Sequence, residues 1–122
     1  PMAKYRRLRE RIIGEGVVAP DDLVVPEAAP WDAIRLAHAP EYVDAVASGT
    51  LSPAEQRRIG FPWTPAMVER SRRSVGATLA AAAEVMSGAR VSVNLAGGTH
   101  HAFRDRGEGY CVFNDVAVAA LD

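Results

Sequence analysis

The sequence lacks several features, and each deficit excludes a class of protein. It contains a single cysteine, Cys111, so no disulfide can form within the chain, which suits a reducing compartment. Its 14 basic and 15 acidic residues give a formal net charge of −1, which offers no excess charge for nucleic acid or anionic membranes. No apolar run approaches the roughly 18 residues that a membrane span needs, and no signal-peptide pattern is present. These absences predict a cytoplasmic protein with neither nucleic-acid nor membrane partners.

Lysine is also almost absent, since Lys4 is the only lysine among the 14 basic residues. We attribute this deficit, together with the abundance of alanine, to a GC-rich bacterial coding bias. The length of 122 residues and the hydrophobic content of 48% are typical of one globular domain with a core. Because helical patterns run up to both Pro1 and Asp122, we interpret residues 1–122 as part of one domain that is truncated at both ends.

Hydrophobic periodicity and turn residues predict mainly helices. Arg90 to Ala96 alternates valines with polar residues and predicts a strand. A glycine-rich loop and a final helix follow this strand, which together make half of a β-α-β crossover. The order therefore predicts an α/β fold with a parallel sheet. The predicted helices are 3–13, Pro40 to Gly49, Ser52 to Gly60, Thr64 to Gly88 and 114–121.

Two of the three histidines are adjacent in the segment NLAGGTHHAFRDRGEGYCVFND, residues 94–115. Neighbouring side chains diverge on a regular strand or helix, so His100 and His101 can serve one site only if their backbone is irregular. Gly97 and Gly98 supply that freedom. The loop also follows a predicted parallel strand, where α/β proteins place their sites.

Residue types alone leave three interpretations of the histidine pair open. The imidazoles could transfer protons as a general base and a general acid near neutral pH. They could be zinc ligands, although adjacent histidines seldom bind one ion together, and helping carboxylates would have to come from Asp105, Glu108 or Asp115. They could also be structural, hydrogen-bonded within a buried loop.

Three other residues have both a structural and a functional interpretation. Cys111 could be a nucleophile beside a histidine, but its apolar neighbours favour an inert buried thiol. His38 precedes Ala39-Pro40 and is interpreted as a packing residue or as the start of a helix. Trp63 is either a core aromatic or the wall of a pocket, and we favour the core.

Two consecutive motifs resemble the active-site signature of the zinc-dependent histone deacetylases. GGTHHA, residues 97–102, and GYCVFND, residues 109–115, occur in the order and at the separation of that signature. LAHAPEYV, residues 36–43, and the first four residues, PMAK, also resemble segments of the family. The region from 60 to 90, with GFPWTP followed by a long helix that is rich in alanine and contains an arginine pair, is similar to bacterial deacetylase-like proteins and to the class IV branch.

The resemblance implies an arginase/deacetylase-type α/β fold, in which helices wrap a parallel sheet, and of which this chain would be an incomplete N-terminal fragment. It implies a zinc-dependent deacylase that hydrolyses the amide of acyl-lysine or acetylated amines. The family's zinc ligands would lie downstream of residue 122, so we expect no metal ligand within this chain and no activity from the fragment alone. The resemblance leaves the oligomeric state open.

The resemblance also assigns roles to four residues. His101 would be the general base, and His100 would be its electrostatic partner beside the tetrahedral intermediate. Gly109 and Tyr110 would line the tunnel for the acyl-lysine stem, with Tyr110 in place of the family's more frequent phenylalanine.

Two other functions remain open for the parent protein. It could be a non-catalytic deacetylase-like module that binds acyl-lysine. The chain could also be a truncated gene product that has no activity.

Overall fold

The computed structural model describes residues 3–122, so the predicted resemblance at Pro1 and Met2 lies outside the described residues. The described residues are largely helical. The α-helices are α1, Ala3–Gly14; α2, Trp31–Ala37; α3, Pro40–Ser48; α4, Pro53–Ile59; α5, Pro65–Met86; and α6, Asp115–Leu121, with a short 3-10 turn at Pro20–Asp22. Five of the six α-helices lie where the sequence predicts them.

Local signals explain these five helices, and the boundaries of α4 show how. The Ser52 hydroxyl accepts a hydrogen bond from the Glu55 N–H at 3.3 Å, and the Glu55 carboxylate accepts one from the Ser52 N–H at 2.7 Å. This reciprocal pair satisfies two of the donors that a helix start leaves unpaired. Gly60 ends the helix in the left-handed conformation, with φ of 85°.

The sequence pattern does not predict α2. Its N-cap is Pro30, which offers no side-chain hydrogen bond, and seven residues are too few for an isolated helix to be stable in water. Ala33 and Ile34 are buried, and the helix packs against α3 and α6. Tertiary packing therefore stabilises this helix more than its own sequence does.

The structure does not confirm the predicted parallel sheet. Residues 91–94 have no regular secondary structure, and the only β-type pairing among the described residues is an isolated antiparallel bridge between Glu108 and Cys111. A strand needs a neighbouring backbone as its hydrogen-bond partner, and no described segment pairs with this one. Val91 and Val93 line an open cleft of about 710 Å³ beside α5, and both remain exposed.

The core lies between α2, α3, α5 and α6, and it includes the segment just before α6. Phe113 is buried in its centre, with its ring centroid 6.3 Å from Trp31, 5.5 Å from His38 and 6.1 Å from Tyr42. The edge-on contacts with Trp31 and Tyr42 are a favoured aromatic geometry. Burial of Phe113 therefore attaches the C-terminal end of the 97–115 loop to the helical core. No helix in the described part of the chain is long and apolar enough to cross a membrane.

We expect Tyr42→Phe to destabilise the protein by about 1–3 kcal/mol, the usual cost of leaving a buried polar group unpaired. The Tyr42 hydroxyl donates to the Val112 carbonyl at 2.8 Å inside the core. Burial raises the pKa of Tyr42 above its ordinary range, which keeps the hydroxyl protonated as a donor. Chemical denaturation would measure the change. Tyr5→Phe, at a half-buried position of α1, is the control, and its free energy of unfolding should change by no more than about 0.5 kcal/mol. Equal losses of stability in the two variants would contradict a stabilising role of the hydrogen bond from Tyr42 to Val112.

Candidate active site

The glycine pair that precedes the histidines is held against α6. Gly98 adopts φ of 81°, which side chains disfavour, and its N–H donates to Asp115 Oδ2 at 2.9 Å. A Cβ on Gly97 would overlap the Asn94 side chain and lie 2.7 Å from the same Asp115 oxygen. The predicted irregular backbone is therefore confirmed, and both glycines are required by the geometry.

Asp115 is completely buried and joins the loop to α5. Its Oδ2 accepts the Thr78 hydroxyl at 2.8 Å, and Thr78 Oγ1 in turn accepts from Asn94 Nδ2 at 2.8 Å. Its Oδ1 has no hydrogen-bond partner among the residues that the structure describes. A buried carboxylate needs hydrogen-bond donors, and one oxygen of Asp115, Oδ2, is occupied by the Gly98 N–H and the Thr78 hydroxyl. These hydrogen bonds therefore help to fix the structure of the loop.

His100 and His101 lie side by side at the surface of the loop. Their rings stack with centroids 4.5 Å apart and an interplanar angle of 28°, and both residues are exposed. His100 Nδ1 lies 3.0 Å from the Gly98 carbonyl oxygen, which favours a proton on Nδ1. The two imidazoles are therefore brought to one place, and they are not buried as the structural interpretation expected.

The carboxylates named as helpers for a metal are occupied otherwise. Asp105 and Glu108 both form ion pairs with Arg106, at 3.0 and 3.6 Å, while Asp115 points to Thr78 and Gly98. Across residues 3–122, no group of three or more His, Cys, Asp or Glu side chains could hold a metal ion. The described residues alone do not fit a zinc ion.

Gly109 and Tyr110 form a turn that is docked on the end of α4. Their N–H groups donate to the Arg58 and Ile59 carbonyls at 3.1 and 2.7 Å, which are among the carbonyls that a helix end leaves unpaired. Tyr110 has φ of 64°, a costly conformation for an aromatic residue. Tyr110 is 69% exposed, and its ring is in a T-shaped arrangement with that of Phe61, with the ring centroids 5.4 Å apart.

The turn also lies next to the second histidine. A Cβ built on Gly109 would be 3.5 Å from His101 Cγ. The structure therefore places the four predicted site residues close together: the turn of Gly109 and Tyr110 adjoins His101, and His100 stacks on His101.

Cys111 is an inert buried thiol, as its apolar neighbours predict. Its Sγ donates to the Phe113 carbonyl at 3.1 Å and accepts from the Ala102 N–H at 3.3 Å. Burial raises the pKa of Cys111, so the reactive thiolate is scarce near neutral pH. Cys111 therefore lacks the accessible thiolate that a nucleophile requires. Trp63 likewise packs on the core, and its Nε1–H donates to the Val46 carbonyl at 2.7 Å.

His38 is a packing residue, as predicted, but it also has a contact that the sequence did not indicate. Its Nε2 accepts the backbone N–H of Asn114 at 3.0 Å. The two residues are 76 positions apart, so no local pattern could have revealed the contact.

The model of the histone deacetylase domain family matches residues 1–122. An uncharacterised protein of Picosynechococcus is 40% identical over 98% of this chain, and the acetoin utilization protein AcuC of Bacillus subtilis is 41% identical over 80% of it. The chain spans 39% and 28% of these two relatives.

A solved structure shows the same likeness in three dimensions. The crystal structure of an HDAC homolog complexed with SAHA superposes with a TM-score of 0.78 at 27% identity, covering 93% of this chain and 33% of that one. The described part of the chain therefore has the deacetylase fold. With the family match over its whole length, the chain belongs to the histone deacetylase family.

We expect Cys111 to resist alkylation in the folded protein. Because the thiol is buried and its pKa is raised, iodoacetamide should label it at least about a hundred times more slowly in native protein than in denatured protein. Peptide mass spectrometry at Cys111 would follow the rate. Rapid labelling under native conditions would show that the thiol is accessible and would reopen its role as a nucleophile.

Proposed function

We propose that the whole protein is a cytoplasmic, zinc-dependent deacylase that hydrolyses the amide of acyl-lysine or of acetylated amines. The observation that carries the proposal is the pair of exposed, stacked imidazoles on a glycine loop, next to an exposed aromatic ring. Membership of the histone deacetylase family supports the same chemistry. The similar HDAC homolog was solved in complex with SAHA, which supports a small-molecule site in proteins of this family.

His101 acts in this proposal as the general base. Its exposed imidazole takes a proton from the water that attacks the acyl carbonyl, and the same group returns a proton to the leaving amine. His100, stacked on it at 4.5 Å, stabilises the charge of the tetrahedral intermediate. The hydrogen bond of His100 to Gly98 and the anchoring of Gly98 by Asp115 hold the pair in place.

Gly109 and Tyr110 bind the substrate stem in this proposal. The exposed Tyr110 ring offers an apolar face on which the methylene groups of a lysine or an amine can pack. The Gly109 carbonyl accepts the amide N–H of the substrate. Their backbone N–H groups are already committed to the end of α4, so the turn is positioned before substrate arrives.

Zinc, when bound, would polarise the acyl carbonyl and lower the pKa of water. Because residues 3–122 contain no group of ligands for it, its ligands are proposed to lie elsewhere in the whole protein. The 122-residue chain alone is therefore proposed to be inactive.

The exposed, stacked histidine pair is also compatible with a second candidate function, a deacetylase-like module that binds acyl-lysine without hydrolysing it. An assay of the whole protein on acetyl-lysine peptide, long-acyl peptide and acetylpolyamine, with and without zinc, separates the two. Turnover that depends on zinc supports the enzyme, whereas binding without turnover on any substrate supports the module.

His101→Ala should lower kcat by at least about a hundredfold, the scale of general acid–base catalysis. The side chain is exposed, so the free energy of unfolding should change by less than about 0.5 kcal/mol. Steady-state kinetics and chemical denaturation of the whole protein would measure both quantities. His100→Ala is the comparison variant, and its kcat should fall by less than that of His101→Ala. If His101→Ala retains its kcat, His101 is not the general base.

Gly60→Ala should weaken substrate binding by displacing Tyr110. A Cβ on Gly60 would lie 2.8 Å from Tyr110 Cε1, and Gly60 has φ of 85°. We expect KM to rise about tenfold, the loss of roughly one good contact, with less change in kcat.

Gly49→Ala is the matched control for this substitution. Gly49 also ends a helix with positive φ, 77°, and its Cβ would meet an aromatic ring, that of Trp63, at 2.9 Å. Both variants should lose about 1–2 kcal/mol of stability from the left-handed backbone. A rise of KM in both variants alike would contradict the role assigned to Tyr110.

A further inference from the structure

His38 ends α2 with its side chain inside the core. It is 1% exposed, and its ring lies 5.8 Å from Tyr42 and 5.5 Å from Phe113. Because the Asn114 backbone N–H can only donate, Nε2 is the acceptor and the proton of the neutral ring is on Nδ1. Burial lowers the pKa of His38, which keeps the ring neutral and the Nε2 lone pair available.

Asn114 connects His38 to the loop that carries His100 and His101. It is the N-cap of α6, so its N–H has no partner within the helix. Its Oδ1 accepts from the Ala117 N–H at 3.0 Å, which leaves Nδ2 facing the loop. Nδ2 donates to the Ala102 carbonyl at 3.3 Å and lies 3.5 Å from the His100 carbonyl. The carbonyls on both sides of His101 are therefore held by the residue that His38 fixes.

The same end of α2 also contacts the loop beyond the histidines. The Ala39 N–H donates to the Arg104 carbonyl at 2.8 Å. His38 Nδ1 has no partner of hydrogen-bond geometry among the described residues, but the Phe103 and Arg104 carbonyls lie close enough to offset part of the effect of burial on its pKa. The contacts that define the position of the loop are those of Nε2 and of Ala39.

We propose that His38 is a positioning residue: by accepting from the Asn114 N–H, its Nε2 sets the place of His100 and His101 without touching the substrate. The kinetic consequence rests on the function proposed above. The structural consequence does not, because it concerns the Asn114 amide alone.

Three substitutions of His38 in the whole protein separate the acceptor from the bulk of the ring. Glutamine can place its side-chain oxygen near the position of Nε2. Asparagine is shorter and places its oxygen near the position of Nδ1, out of reach of Asn114. Leucine keeps an apolar volume and removes the acceptor; if it prevents folding, the glutamine and asparagine variants remain a complete comparison.

Residue-resolved hydrogen–deuterium exchange is the first readout. The Asn114 amide has no helical partner, so its protection reports on His38. We expect its exchange to rise at least about tenfold in His38→Asn and His38→Leu, the loss of about one net hydrogen bond. In His38→Gln it should stay within about threefold of the unsubstituted protein.

Steady-state kinetics is the second readout. A misplacement of about 1 Å can cost on the order of a hundredfold in rate, and a group that acts only in the transition state affects kcat. We therefore expect kcat to fall about 10- to 100-fold in His38→Asn, with KM within about threefold, and to recover in His38→Gln. A residue that served only packing would not show this recovery.

Trp63→Phe is the matched control. It removes a different hydrogen bond within the same core, from Nε1 to the Val46 carbonyl at 2.7 Å, and should reduce stability without changing kcat or the exchange of Asn114. The proposal would be overturned if Trp63→Phe lowered kcat and increased the exchange of the Asn114 amide as much as His38→Asn does. It would also be overturned if His38→Gln and His38→Asn had the same kcat and the same Asn114 exchange rate. If the unsubstituted whole protein shows no turnover, the proposed function fails, while the exchange experiment still decides the role of His38.

Discussion

The buried carboxylate of Asp115 is the point where the loop that carries the two histidines, α5 and α6 meet. One of its oxygens accepts both the Gly98 N–H and the Thr78 hydroxyl, and the residue has no exposed surface. Donated hydrogen bonds lower the cost of burying a polar group, and both of the hydrogen bonds that Asp115 accepts reach the same oxygen, Oδ2. The backbone before His100 must therefore follow the carboxylate, and both glycines are required: no Cβ fits at Gly97, and Gly98 has a positive φ of 81° that side chains disfavour.

The site is built from the ends of helices. The end of α2 supplies His38, the start of α6 supplies Asn114, and the end of α4 supplies carbonyls to Gly109 and Tyr110. Helix ends have unpaired polar groups, so they can fix an irregular loop without interrupting regular structure. The loop can then keep two imidazoles and the Tyr110 ring exposed, while the residues that follow Tyr110, Cys111 to Phe113, are buried.

Prediction from the sequence succeeded where the signals are local. The capping box at Ser52 and the threonine–proline pair at Thr64 define helix starts that need no distant partner. Motifs within 22 consecutive residues indicated the family, and the irregular backbone around His100 follows from its two glycines. Prediction failed for α2, whose seven residues are stabilised by packing, and it remains unconfirmed for the strand at 90–96, because a strand depends on a neighbouring backbone.

The sequence by itself determined which residue types stand close together along the chain: two adjacent histidines after two glycines, and the glycine and tyrosine that precede the single thiol. Tertiary structure alone decided how these residues are held. The hydrogen bond between His38 and Asn114 joins residues that are 76 positions apart, and the contact between Tyr110 and Phe61 joins two separate loops. Such contacts depend on how helices pack, which is a property of the whole core, and no spacing within the sequence encodes them.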